Sequence, residues 1–367
     1  MMNPSRILDA LRARRDLWKF EARMALALHE VPSSTQASSA EIDALVARQT
    51  AKWPTGRALQ GAPARAARAA VAENSNSCFI LSIDGVKVRL QPKRTTGDRS
   101  EHTNACLKRA KLYRAFIETT LRRARTPLQM ELLLDVNDLA LQAEHFPVFC
   151  FQSPRGSANP LLPDVDFFHC KWYRGQRDTL SYEEKTCSAV FVGASTGDFL
   201  DEEAILVSRT ERLRAATYFK GHPTVLFKIA KAANCLTDEA RALLERQPYF
   251  SEYISWPTQL RHRFLLSMDG NGATCSRVVK GLMSNGVLVK YSSPHDLYYF
   301  SAMSAGKEYL AVESDADVER ILAEEAAYPG RYQVVARAGQ AFAERYLRIG
   351  SVMDYTARLL QVFSNRT

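Results

Sequence analysis

The stretch RHRFLLSMDGNGATCSRVVKGLMSNGVLVKYSSPHDLYYF, residues 261–300, carries the most specific pattern in the chain. FLLSM (264–268) is a short apolar run suited to a buried parallel strand. It ends in Asp269-Gly270-Asn271-Gly272, and helical spacing starts near Thr274 to Ser276 and covers 275–284. VLVKY (287–291) reads as the next strand. Strand, glycine turn, helix, strand is the order of an α/β sheet. Gly270 and Gly272 predict backbone at positive φ and a close approach to a ligand. Free N–H groups at the helix start, with Arg277 in its first turn as a planar bidentate donor, predict an anion site. Gly-x-Gly after a strand also serves ordinary tight turns, so these letters alone leave both uses open.

Downstream, EYLAV (308–312) reads as a strand, followed by helices at 315–327, 331–347 and 351–364. Upstream, AVFVG (189–193) opens the same α/β series, with a helix at 201–217 and helices through 222–247. Earlier still, MELLLDV (130–136) and PVFCFQ (147–152) read as buried parallel strands. A helix over 101–123 precedes them, with Leu107, Ala110, Tyr113, Phe116, Ile117 and Leu121 on one face. FILSIDGVKVRL (79–90) alternates around Asp84-Gly85 as a β-hairpin does. The chain begins with helices over 5–30 and 40–52, then a linker over 54–72 that runs into a short Ala/Arg helix.

A length of 367 residues suits ~2–3 domains, and 46% hydrophobic residues suit a sizeable core. The cysteines, at 78, 106, 150, 170, 187, 235 and 275, form no C-x-x-C pair, which argues against a structural zinc site and for reduced thiols. No stretch has the form of a signal peptide or the ~20 apolar residues of a span, so a cytoplasmic, soluble or peripheral protein is expected. The net charge of +9 is uneven: residues 1–128 hold 23 Lys/Arg against 11 Asp/Glu. Such a basic half predicts an anionic partner (a membrane surface, an anionic glycolipid or nucleic acid) or a solvated Arg-rich surface.

Taken together, LLSMDGNG (265–272), Ser276-Arg277, GLMSNGVLVK (281–290), Ser293-Pro294, Leu297–Phe300 and KEYLAV (307–312) resemble glycosyltransferase family 90. That family includes protein O-glucosyltransferases, capsule xylosyltransferases and lipopolysaccharide-associated enzymes. VFVGASTG (190–197) is similar to its F-R-G-S-x-T block. MELLLDVNDLALQAEHFPVFCFQ (130–152) is similar to its E-x-x-x-N-x-x-D-x-P block and the strand that follows.

The resemblance implies an α/β fold of the GT-B type, with two Rossmann-like domains facing across a cleft. The expected division is a helical segment and linker at 1–75, an acceptor-side domain at 76–180 and a nucleotide-sugar-binding domain at 181–350. The helix of 351–367 would cross back onto the acceptor-side domain. The implied reaction is an inverting transfer of glucose or xylose from a UDP-sugar to a hydroxyl of a cell-surface glycan such as lipopolysaccharide or capsule. The UDP-sugar is the donor substrate, and no metal or other cofactor is implied. The D-x-D at Asp164–Asp166 reads as incidental in a Pro-rich loop. Asp138 takes the place of the family's base. Arg277, Ser276, Asp269, Gly270, Asn271, Gly272, Gly193 and Ser195 take places at the donor.

The chain departs from the family at Val192, where many relatives carry Arg, and at Ala140, where they carry Pro. Arg209, Arg212 or Arg214 would then supply the missing phosphate contact, with Arg212 assigned to the donor. Without its Pro, Asp138 also fits a plain Asx-turn. His145 is the next candidate base, His262 and His295 flank the donor block, and Trp172 and Tyr173 offer stacking surfaces. Two other readings remain: an inactive glycan-binding member of the fold, and a basic nucleic-acid-binding protein. No nucleic-acid reader motif accompanies the charge, and no nucleic acid is expected as partner.

Overall fold

The computed structural model describes residues 14–15, 17–22, 24, 35–53, 62–92, 100–166, 178–273 and 276–365. Most of the helix expected over 5–30, the first part of the 54–72 linker, Trp172, Tyr173 and Thr274 lie outside them. The described residues divide into two compact units. One draws on Met1–Tyr173, Leu297–Tyr299 and Arg345–Thr367, the other on Arg174–Asp296 and Phe300–Glu344.

In the first unit, α1 (Ser39–Thr50) starts in a capping box, Ser38 with Glu41. The Ala-rich α2 (Ala62–Asn74) lays Ala67, Val71 and Ala72 on Cys78, Ile80, Leu133, Phe146 and Val148. Gly85, at φ 62, turns β1 (Cys78–Gly85) into β2 (Lys87–Leu90), as the alternation predicts. Helix α3 (Glu101–Ala124) is capped by Ser100 and ends at Arg125 in the left-handed region, φ 51. Its expected face is buried at Ala110, Tyr113, Phe116, Ile117 and Leu121.

Strand β3 (Leu128–Asp135) lies antiparallel to β1 and parallel to β4 (Val148–Phe149), giving the order β2-β1-β3-β4. The expected hairpin and the expected pair of parallel strands thus share one mixed sheet, which differs from a Rossmann-like domain in the antiparallel pairing of β1 with β3. The hairpin reverses the chain once before α3 carries it over, so β3 runs with β2 and against β1. The C-terminal helix, Ile349–Ser364, packs on α1 and α3. Its Phe363 meets Phe149 edge-on at 5.1 Å, and Tyr355 stacks on Tyr298 at 4.6 Å and donates to Leu161 O.

The second unit is built on β5 (Thr186–Ala194), β6 (Val225–Lys231), β7 (His262–Ser267), β8 (Val287–Tyr291) and β9 (Leu310–Val312). These strands are all parallel, in the order β9-β8-β7-β5-β6. Phe191, Phe264 and Leu266 enter one core, while Val190, Val192 and Leu265 meet Trp256 and Leu260 in another. Burial on both faces explains why the central strands β5, β7 and β8 carry nearly unbroken apolar runs.

Two expectations change in this unit. The span 222–247 is not all helix: VLFKIAK is β6, and only Asp238–Glu245 is helical. Val225, Phe227 and Ile229 are buried between less buried neighbours, the period of a strand. The helix expected over 201–217 is two, α4 (Glu202–Leu206) and α5 (Glu211–Tyr218), parted where Ser208 turns to φ 52. Beyond them come α6 (Asp238–Glu245), α7 (Trp256–Gln259), α8 (Ser276–Leu282), α9 (Asp315–Ala327) and α10 (Gln333–Tyr346).

Candidate functional site

Counted from β5, the five strands follow the order 2-1-3-4-5. In an open parallel sheet of that order, ligands bind outside the carboxyl ends of the strands where the winding reverses, between the first and third. In this chain that place lies between β5 and β7. The residues leaving these two strands are Ala194-Ser195-Thr196-Gly197 and Met268-Asp269-Gly270-Asn271-Gly272. Gly193, Ser195, Asp269, Gly270, Asn271 and Gly272, chosen from two blocks more than seventy residues apart, are thus brought to one edge.

Each holds a specific position there. A Cβ at Gly193 would stand 2.7 Å from the Phe191 ring. Ser195 is fully buried, donating to Ala233 O at 2.8 Å and accepting from Ala233 N at 2.9 Å, which ties β5 to the end of β6. Asn271 Oδ1 accepts from Gly197 N at 3.3 Å and from Asn234 Nδ2 at 2.9 Å, joining the two turns. Gly270 N donates to Gly272 O at 3.2 Å.

Of Gly270 and Gly272, both expected at positive φ, Gly270 does not adopt it, whereas Gly197 in the other turn does, at 138°. Gly270 is needed for space: a Cβ there would stand 2.9 Å from Arg212 Nη2 and closer still to Thr196 Oγ1.

Asp269 sits in a polar cluster. Lys290 Nζ donates to its Oδ1 at 3.1 Å, Ser293 Oγ donates to Oδ2, and His295 Nδ1 lies 3.5 Å from Oδ2. Lys290 and Ser293 are not assigned to the site from sequence, although Ser293-Pro294 is among the family-like motifs. A lysine inside the otherwise apolar VLVKY strand was the available signal, since a buried ammonium requires a partner. His262 does not join this group. It starts β7, a strand-length of roughly 17 Å from the turn, where Ser188 Oγ is 2.8 Å from its Nδ1. Burial there, then Lys185 and Arg261, hold its pKa below the usual histidine value.

The arginines are all engaged with the protein. Arg212, on α5, is buried and donates to Asp269 O, Met268 O, Ala194 O and Thr196 Oγ1. Arg209 pairs with Asp201 and Glu203, and Arg214 with Asp315. Arg277 follows Ser276 in α8, which runs for only seven residues. Its guanidinium is buried between Phe191 and Trp256, 4.7 and 5.2 Å from the ring centroids. It donates to Val192 O and Gln259 Oε1. This is a different setting from the open fork expected at the helix start.

In the first unit, Asp138 lies just past β3, its side chain 39% exposed and 3.6 Å from Arg109 Nη1. Arg109 donates to Val136 O at 2.8 Å, lies 3.9 Å from Asp166 and packs over the Phe151 ring. The D-x-D set aside from sequence therefore shares one arginine with Asp138. Burial, and then the Asp166 charge, push buried Asp164 up to about 7 against the pull of Arg109. Asp135 is buried and accepts from Asn137 N at 2.9 Å and Leu141 N at 2.8 Å, the part of a turn-forming carboxylate. His145 is exposed.

A parallel doubly wound sheet whose strand-end turns meet at the switch point is a ligand-binding α/β unit, the class to which many nucleotide-binding proteins belong. Comparison of the whole chain narrows that class. The family model "Glycosyl transferase family 90" matches residues 99–367, and the chain belongs to that family; it is a glycosyltransferase. No curated protein matches the chain. A solved structure described as "Crystal structure of GtfA/B complex" is similar over 52% of this chain at 15% identity, with a TM-score of 0.33. The match spans 39% of that chain, and at this level it carries no argument.

Proposed function

We propose that the protein is an inverting glycosyltransferase that moves glucose or xylose from a UDP-sugar to a hydroxyl of a cell-surface glycan such as lipopolysaccharide or capsule. The observation that supports this is the meeting of the Gly193–Gly197 and Asp269–Gly272 turns at the switch point of the parallel sheet in a family 90 chain. The donor's nucleotide would lie against these turns, where main-chain groups come close and Arg277 supplies positive charge behind them. Asp138 is the proposed base for the acceptor hydroxyl. A GT-B organisation and a metal-independent single displacement belong to this proposal on the strength of the family.

A glycoside-bond-making step of this kind breaks the sugar C1–diphosphate bond, forms the C1–acceptor oxygen bond and passes the acceptor proton to the base. The test is incubation of the purified full chain with a panel of nucleotide sugars, following nucleotide release and, by calorimetry, binding. UDP-glucose or UDP-xylose should bind and turn over. Binding without turnover would favour an inactive glycan-binding member of the family, a reading that Val192 in the place of the relatives' arginine supports. Binding of no nucleotide sugar would overturn the proposal.

A further inference from the structure

Between β5 and β7 the ladder pairs Ala189 with Phe264 and Val190 with Leu265. Past that point the carbonyls of Ala194, Met268 and Asp269 accept from one side chain, Arg212. The guanidinium spans both strand ends: Nε to Asp269 O at 2.9 Å and Nη2 to Met268 O at 2.8 Å on one side, Nη1 to Ala194 O at 2.8 Å and Thr196 Oγ1 at 2.7 Å on the other. It also lies 5.3 Å from the centroid of the Phe191 ring. Only a planar group with donors on both edges bridges two diverging strands in this way; a lysine ammonium is a single point. The bare Cα of Gly270 leaves the space this guanidinium occupies.

We propose that Arg212 is the positioning residue of the donor crevice, acting through the two turns and not as a ligand of the diphosphate. It replaces the missing ladder at the switch point and holds the Ala194–Gly197 and Met268–Gly272 turns at a fixed separation. The proposal rests on the reading that the donor binds at those turns, but its structural half is separable. A ligand would leave the turns unchanged when removed, whereas a clamp would loosen both, with or without nucleotide.

The experiment compares the full-length wild type with Arg212→Lys, Thr196→Ala, Gly270→Ala and the Thr196→Ala/Gly270→Ala pair. Two readouts are used: hydrogen exchange of the turn amides without ligand, and UDP affinity by calorimetry. Arg212→Lys should speed exchange at both turns and weaken UDP by roughly 10–100-fold, the span of charge-assisted hydrogen bonds to a buried group. Thr196→Ala removes a single acceptor, keeps the protein folded and should shift both readouts the same way, by less. Gly270→Ala should resemble Arg212→Lys, and Thr196→Ala should partly rescue it by making room for the methyl. Unchanged exchange in Arg212→Lys, with UDP affinity lost, would overturn the clamp and make Arg212 a ligand. Failure of rescue in the pair would also count against it. If exchange rises at both turns while the wild type binds no UDP, the clamp stands and the donor reading falls.

Discussion

Arg277 donates to the carbonyl of Val192, the residue that stands where many family 90 relatives carry an arginine. Arg277 thus reaches β5 from α8, and it also donates to Gln259. Because this guanidinium is buried between two aromatic rings, its removal bears on stability apart from any effect on binding.

Arg277→Ala should accordingly lower stability by about 1–3 kcal/mol, since it leaves the Val192 carbonyl and Gln259 without that donor. In protein that remains folded, UDP affinity should fall by roughly 1.5–3 kcal/mol, with Arg277→Lys recovering only part. Denaturant unfolding and calorimetry separate the two effects. Unchanged UDP affinity in folded Arg277→Ala would remove this residue from the donor site.

Asp138→Asn should keep the fold and donor affinity while transfer drops by ~10²–10⁴-fold, the usual contribution of a positioned base. Asp135→Asn should behave differently. Its two oxygens each accept a backbone N–H, so the amide forfeits one of them and costs about 1–3 kcal/mol of stability. Near-normal turnover in Asp138→Asn would return that residue to a turn-forming role and make His145 the next to test.

Asp164 gives the first unit a pH dependence. Its folded pKa, about 7, is raised above the usual 3.8 by burial and by Asp166, so folding favours the protonated carboxyl. The contribution is fully present below the unfolded value and is lost as pH rises through about 7. Thermal unfolding should therefore show wild type losing stability across that upper range relative to Asp164→Asn, which stays neutral. Parallel pH profiles for the two proteins would show that Asp164 is ionised throughout.

The basic balance of residues 1–128 predicts salt-sensitive attachment to anionic surfaces, in keeping with an acceptor held at the inner face of a membrane. Among the described residues no helix is long and apolar enough to cross a membrane. Flotation with anionic vesicles should show binding that fades with added salt, as screening shortens to ~8 Å at physiological ionic strength. Equal binding to neutral vesicles would refute it, and preference for duplex DNA would point to a nucleic-acid partner.

By itself the sequence determined the elements with strong local signals. Alternation around Asp84-Gly85 specified the β1–β2 hairpin, and the apolar face of α3 and the run VLVKY specified a helix and a buried strand. The family motifs pointed to both strand-end turns, because a short turn must be encoded by adjacent residues. Tertiary structure decided which strands are neighbours. β6 was hidden because VLFKIAK carries lysines and alanine in a partly covered strand, and without it the 2-1-3-4-5 order and its switch point cannot be drawn. The mixed sheet of the first unit likewise follows from where α3 delivers β3, which no local pattern encodes. Arg212 and Arg277 show the same limit: sequence marks a cation near a turn, but whether its fork meets a ligand or a row of carbonyls depends on where the strand ladder stops. That stopping point is a property of packed strands, since a hydrogen bond between residues far apart in the chain exists only once the sheet is assembled.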